Sequence, residues 1–341
     1  MAKLDELRAK LGQTPEFCQS ELWPLVDRFE SENKVDRGEI KEKFKQGGLP
    51  LIGCFVFGYL NFKWAPILSL ACAAAAGLII LPALTRFGVA ATRRMKAWQA
   101  LRAEIKKRAL NFLDPQIMFT PALTFPQELY SGCGLFPKSY DLARAEDHCA
   151  GRVGETLYEL VELAVHNVKK STDSKGRTTT TYIPIFCGIL LKADFNKNFE
   201  GHTTIRTDKA EGSFGFLARG AQRLMSSINT MNLVEMESPE FEEKFKVHST
   251  DPVQARYILT PDFMERILAL GMGCPEVQIA FRDSAVIFAL PRKSAFLEMN
   301  GGTENLTSSV EGLLNDLVTL LQIIEDMKLN ERIWNKQARG A

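Results

Sequence analysis

Asp194, Asn196 and Asn198, in the stretch DFNKNFEG, place side-chain oxygens at positions 1, 3 and 5, the layout that opens a calcium-binding loop. The fit stops there. Phe199 stands where such a loop needs glycine, and Ile205 where it needs a bidentate glutamate. A turn between two strands, with Asp and Asn bonding their own backbone, accounts for the same residues. With Lys197 and His202 they form the main candidate polar cluster of the chain.

Other chemistry-bearing residues are scattered. The seven cysteines (Cys18, Cys54, Cys72, Cys133, Cys149, Cys187, Cys274) include no C-x-x-C pair, and the four histidines (His148, His166, His202, His248) are equally dispersed. An odd, unpaired set of thiols points to a reducing compartment and away from a disulfide framework or a structural zinc site. His148 beside Cys149 is the one adjacent soft pair. No G-x-G-x-x-G, P-loop, H-E-x-x-H or G-x-S-x-G motif is found, and Gly212-Ser213-Phe214-Gly215 has the wrong spacing for a nucleophile elbow. The sequence therefore assigns no catalytic residue, cofactor or metal. An enzyme with an unrecognised site would draw on Asp194, Lys197, His202, His248, Asp251 and Arg256, provided they converge in one pocket.

The elements that must position these residues follow from charge and periodicity. The 341 residues are 45% apolar and 24% charged, with a net charge of +1, so no cationic excess drives nucleic-acid binding. The stretch 49–85 is almost free of charge. Within it PILSLACAAAAGLIILPALT (Pro66–Thr85) is long enough, at ~1.5 Å per residue, to span a ~30 Å hydrocarbon core. The shorter GGLPLIGCFVFGYLNF (Gly47–Phe62) pairs with it, predicting a transmembrane helical hairpin over 47–85. Basic residues flank both outer ends, which predicts that both termini are cytoplasmic. Ser69, Ala73 and Gly77 form a small-residue stripe for close helix approach, towards the first helix or towards a second copy of the chain.

Residues 1–46 read as cytoplasmic helices, with Leu4, Leu7 and Leu11 on one stripe. Residues 86–113 read as a basic amphipathic helix. Its Arg86, Arg93, Arg94, Lys96, Arg102, Lys106, Lys107 and Arg108 are candidate contacts to anionic lipid headgroups, and docking on the soluble domain is the alternative.

From residue 114 to 341 the pattern predicts a soluble α+β domain with a mainly antiparallel sheet. Leu157–Val168 and Thr178–Asp194 flank turn residues and read as a long hairpin. Further strands are predicted at Thr203–Thr207, Leu233–Met236, Phe245–His248, Val277–Phe281 and Ala285–Leu290. Ser238-Pro239, Asp251-Pro252 and Thr260-Pro261 each set a capping residue before a proline at a helix start, and Gln254 completes a capping-box spacing with Asp251. The acidic run Glu235–Glu243 reads as a solvated face. A long last helix, about 304–334, carries Leu306, Val310, Leu313, Leu317, Leu320, Ile324 and Met327 on a seam that Leu314, Leu321 and Ile323 widen. That width favours packing on the domain over a coiled-coil dimer.

The hydrophobic hairpin followed by FCGILLKADFNKNFEGHTTI (Phe186–Ile205) and LVEMESPEFEEKFKVHSTDPVQARYILTPDFMERI (Leu233–Ile267) resembles the bacterial membrane family known as domain of unknown function 3137. The resemblance runs from about Gly47 onward and is most specific over Phe241–Met264. It implies a bacterial inner-membrane setting and, weakly, a LemA-type partner, and it carries over no catalytic residue. The expected function is a membrane-tethered interaction or scaffold module of an envelope complex. An anionic-lipid sensor is a further alternative.

Overall fold

The computed structural model describes residues 2–32, 92–93, 95–122, 124–174, 176–195, 199–207, 231–292, 296, 305–327 and 329. The chain divides into two units, 15–108 and a larger one made of 1–14 with 109–341.

In the larger unit nine strands are described: β1 Met118–Ala122, β2 Leu142–Val153, β3 Thr156–Thr172, β4 Thr178–Asp194, β5 His202–Thr207, β6 Asn232–Val234, β7 Phe245–Ser249, β8 Gln278–Arg282 and β9 Ala285–Pro291. They form one sheet in the order β1-β2-β3-β4-β9-β8-β5-β7-β6, and every neighbouring pair is antiparallel. β3 and β4 hold the β-branched and alternating residues that suit a pleated, half-buried surface. Asp173 closes the turn between them: its backbone oxygen accepts from Gly176 N at 3.0 Å and its Oδ1 from Arg177 N at 2.9 Å. Both strands outrun their neighbours. β2 pairs with β3 only as far as His166, and β9 pairs with β4 only from Gly188. The end of the hairpin is therefore a two-stranded ribbon whose tip is exposed.

Alternation divides the side chains between two faces. On one, Val161, Leu163, Val165, Leu190, Ala280, Ile287 and Ala289 are buried beneath Tyr130, Leu135 and Phe136, which come from the Gln127–Gly132 helix and the chain after it. Tyr130 and Phe136 stack with centroids 5.2 Å apart, and Phe136 meets Phe186 at 4.6 Å. On the other face Phe281 meets Phe263 of the Pro261–Gly273 helix at 6.0 Å, and Phe195 joins them at 5.4 Å and 5.7 Å. Full burial of such rings contributes a few kcal/mol each, roughly 1.5–3, before aromatic geometry is counted.

The C-terminal helix, Leu306–Asp326, buries the whole predicted seam together with Leu314, Leu321 and Ile323 inside this one chain. It packs against β2 and the N-terminal helix Ala2–Leu11, where Arg8 Nη2 donates to Gln322 Oε1 at 2.6 Å. Leu4 and Leu7 are buried on that N-terminal helix, so the first residues belong with the sheet unit. Two of the three proline-marked helix starts are capped by side chains. Ser238 Oγ accepts from Phe241 N, and Asp251 Oδ1 accepts from Val253 N and Gln254 N; Thr260 makes no such bond. The capping box stays half-made, because Asp251 N donates to Ser249 Oγ and Gln254 Oε1 has no hydrogen-bond partner.

The expected transmembrane hairpin is corrected: the described residues give it no support. Among the described residues no helix is long and apolar enough to cross a membrane. The longest, Leu306–Asp326, has the length, but Glu311, Asp316, Glu325 and Asp326 interrupt it and its apolar side is buried in the protein. The 47–85 stretch itself, with Ser69, Ala73 and Gly77, lies outside the described residues. The supported architecture is α+β with a large antiparallel sheet.

In the smaller unit, Thr14–Phe17 leads through a π-helical turn, Cys18–Leu22, into helical residues 23–32. Cys18, Leu22, Val26 and Ile105 are buried there, and Phe29 meets Trp98 at 5.5 Å.

Candidate functional site

The roof over the first sheet face covers only part of it. Three polar side chains hold that roof in place from β5 and β8. His202 Nε2 lies 2.8 Å from the Cys133 carbonyl oxygen, Arg206 Nη2 donates to the Gly134 carbonyl at 2.7 Å, and Arg282 Nη1 donates to the Gly132 carbonyl at 2.8 Å. Carbonyls at a helix C-terminus lack intrahelical partners and favour positive charge, which is what two arginines supply. Gly134 sits at φ +65°, and a Cβ there would come within 2.2 Å of His202 Cε1. Burial pushes the Cys133 thiol up to about 11 and lowers the His202 imidazole, which Arg282 and Arg206 lower further. A carbonyl oxygen only accepts, so the imidazole donates from Nε2.

Beyond the roof the same face lies open as a trough of about 830 Å³. Met118, Arg152, Leu157, Glu159, Lys192 and Asp194 line it, with Asp283 at one end. The register explains why they meet: Met118 opposes Ala150, Ala150 opposes Glu159, Glu159 opposes Lys192, and Arg152 opposes Leu157. Directly opposed residues share a face. Met118 and Leu157 are 68% and 56% exposed, high values for two large apolar side chains on one sheet face. A bulge between Glu146 and Cys149, with Asp147 at φ +49°, turns His148 to Glu159, whose Oε1 lies 2.9 Å from His148 Nε2. Cys149, opposite Leu160 in the register, is fully buried, whereas His148 reaches Glu159.

The predicted polar cluster is divided. Asp194 ends β4 at the trough, His202 supports the roof, and Asn196, Lys197 and Asn198 lie outside the described residues. Asp194 and His202 do share one cross-strand row, through Ala285 and Arg282. The other residues named for an unrecognised enzyme have local duties: Asp251 caps Pro252–Ile258, and Arg256 Nη2 donates to the Glu235 carbonyl at 3.2 Å. His248 stands on β7 opposite Leu233 and Thr204, well away from β4 in the strand order. Among the described residues no group of three His, Cys, Asp or Glu side chains is placed to hold a metal ion.

One pair escaped the sequence: Cys187 Sγ lies 3.6 Å from His166 Nε2 across β3 and β4. Burial pushes the Cys187 thiol up, away from the thiolate that a nucleophile needs. No spacing rule marks it, because the two residues are joined only by strand register.

Of the basic-helix residues, Arg93, Lys96 and Lys107 are exposed, while Arg102, Lys106 and Arg108 are half-buried. Arg108 pairs with Glu104 at 2.8 Å and Glu21 at 3.7 Å. Arg86 and Arg94 lie outside the described residues.

No curated protein matches the chain. Among solved structures, the crystal structure of the mycobacterial trehalose monomycolate transport factor A, TtfA, aligns with 65% of this chain and 93% of its own, at 10% identity and a TM-score of 0.33. A likeness that low carries no argument about this chain. The family described as "Protein of unknown function (DUF3137)" matches residues 184–329, which hold most of β4, then β5 to β9 and the C-terminal helix. That is the family which the sequence resemblance pointed to, matched here over 184–329.

Proposed function

We propose that the sheet unit is a binding module, a scaffold or accessory subunit that receives a segment of a partner protein in the trough. The carrying observation is the trough itself: an open space of about 830 Å³ where Met118 and Leu157 stay exposed among charged side chains. An apolar centre with a polar rim is the anatomy of a recognition surface. Three of the residues offered for catalysis, His202, Asp251 and Arg256, support this reading by their engagement elsewhere, in a helix cap and in carbonyl contacts.

A photo-crosslinking amino acid placed at Leu157 in the native host tests it. Val253, 74% exposed and outside the trough, is the control position. The expected result is one discrete crosslinked protein from position 157 and none from position 253. Equal or no crosslinking at the two positions counts against the module.

A further inference from the structure

We infer that the end of the β3–β4 ribbon docks on an anionic phospholipid surface, where Lys169, Lys170 and Arg177 meet headgroup phosphates. The ribbon is not part of the trough, so the two surfaces stand or fall separately. Residues 167–183 hold four cations, Lys169, Lys170, Lys175 and Arg177, against one carboxylate, Asp173. That is +3 in a chain whose total is +1, so all the other residues sum to −2. The chain-wide charge hides the concentration. Asp173 Oδ1 accepts from Arg177 N at 2.9 Å, and Asp141 Oδ2 accepts from Val168 N at 2.7 Å at the root of the ribbon. With Asp141 counted, cations still outnumber carboxylates four to two. Among the described residues Lys169, Lys170 and Arg177 form no ion pair.

The ribbon's form restricts what it can meet. Beyond the sheet it runs for six register pairs, from Asn167 with Ile183 to Thr172 with Thr178. At ~3.3 Å per residue it projects about 20 Å. Every described residue from Lys169 to Tyr182 is exposed. Consecutive strand residues point to opposite faces, so Lys169 and Lys170 give each face one cation, and Arg177 adds a third at the turn. From Lys169 to Thr181 there is no apolar side chain, and seven of the residues are Ser or Thr. Such a tip has nothing to place in an apolar pocket or in hydrocarbon. It offers cations and hydroxyl donors, the groups that hold phosphate oxygens.

A lipid headgroup layer fits this shape. Its depth, roughly 5–8 Å on each side of a bilayer, takes the turn and the first pairs end-on and surrounds both faces. Lys169 and Lys170, in the fourth and third pairs from the turn, reach the layer along flexible stems. Four Lys or Arg in one cluster are enough to hold a segment to an anionic leaflet by charge. Lysine on an open strand edge also discourages edge-to-edge pairing, but that duty does not account for Arg177 at the turn. A nucleic-acid duplex meets the same cations, yet its dense charge also repels a remainder that sums to −2.

An environment-sensitive fluorescent amino acid at the exposed Ser174 of the full-length chain reads docking at the tip itself, whatever other segments bind. The probes are vesicles of phosphatidylcholine alone and of phosphatidylcholine with about 30% phosphatidylserine. The expected result is a saturable emission change with the anionic vesicles only, lost as salt rises from about 50 to 500 mM. K169Q/K170Q/R177Q should weaken it roughly a hundredfold, about fivefold per cation, while K169R/K170R leaves it unchanged. An equal change with neutral vesicles, or an unchanged response in K169Q/K170Q/R177Q, overturns the inference. Loss on R93Q/K96Q/K107Q with the ribbon variant unaffected moves the contact to that helix and overturns it too. So does duplex DNA that changes the emission at a lower phosphate concentration than the anionic vesicles. Far-UV circular dichroism on each variant confirms that the fold is kept.

Discussion

His202 on β5 lies 2.8 Å from the carbonyl oxygen of Cys133, a residue 69 positions earlier in the chain. That contact joins β5 to the segment that roofs the first core, and with Arg206 and Arg282 it decides where the roof ends and the trough begins.

Burial of His202 makes stability depend on pH, and its bond to the Cys133 carbonyl opposes the effect. Burial, then Arg282 and Arg206, lower the His202 pKa in the folded state below its usual 6.5. A lowered imidazole means that the unfolded chain binds more protons, so stability is complete above the unfolded value and is lost as pH falls from about 6.5 through the folded value. Urea titrations between pH 7.5 and 5 should show falling stability for the wild type and a flatter profile for H202Q, whose amide can still donate to the carbonyl. Equal slopes would remove His202 as the cause.

Gly134 supplies the conformation that the roof needs. G134A adds a left-handed backbone penalty of about 1–2 kcal/mol and a Cβ that overlaps the imidazole, so the total loss should be about 2–4 kcal/mol in chemical denaturation. G273A, where a Cβ meets nothing within 4 Å, is the matched control and should change stability by less than about 1 kcal/mol.

Asp251 caps its helix through two amide hydrogens. D251A should cost about 1 kcal/mol, and D251N should recover most of it, since asparagine caps nearly as well. A loss that D251N does not recover would assign Asp251 a duty beyond capping.

Leu317 is fully buried on the C-terminal helix. L317A should destabilise the sheet unit by about 2–5 kcal/mol, by lost transfer energy and a cavity. Because the seam is covered within one chain, the midpoint of unfolding should not shift with protein concentration. A concentration-dependent midpoint would return this helix to a dimer interface.

Several elements are legible from local pattern alone. The β3–β4 hairpin, β5, β7, β8 and β9 fall close to their predicted places because β-branched runs bounded by turn residues have few other uses. The width of the apolar stripe on Leu306–Asp326 is enough to favour packing over pairing. β2 is not legible in this way. Its LARAEDHCAGRV mixes alanine with charged residues, and its place between β1 and β3 comes from register and a bulge, which have no local signature. The predicted polar cluster fails for a related reason: proximity in DFNKNFEGH is a property of the chain, whereas Asp194 and His202 lie on β4 and β5, with β9 and β8 between them.

What the sequence determined by itself is therefore local: the periods of strand and helix, two capped helix starts, and a likeness to one family over 184–329. These depend on neighbours within a few residues, where propensity and capping act. Only the tertiary structure decided which strands stand side by side, and so which side chains share a face. The antiparallel register sets Arg152 against Leu157 and Glu159 against Lys192, and the carbonyl contacts of His202, Arg206 and Arg282 stop the roof short of them. A trough lined by residues from five different strands arises only when long-range pairing is complete.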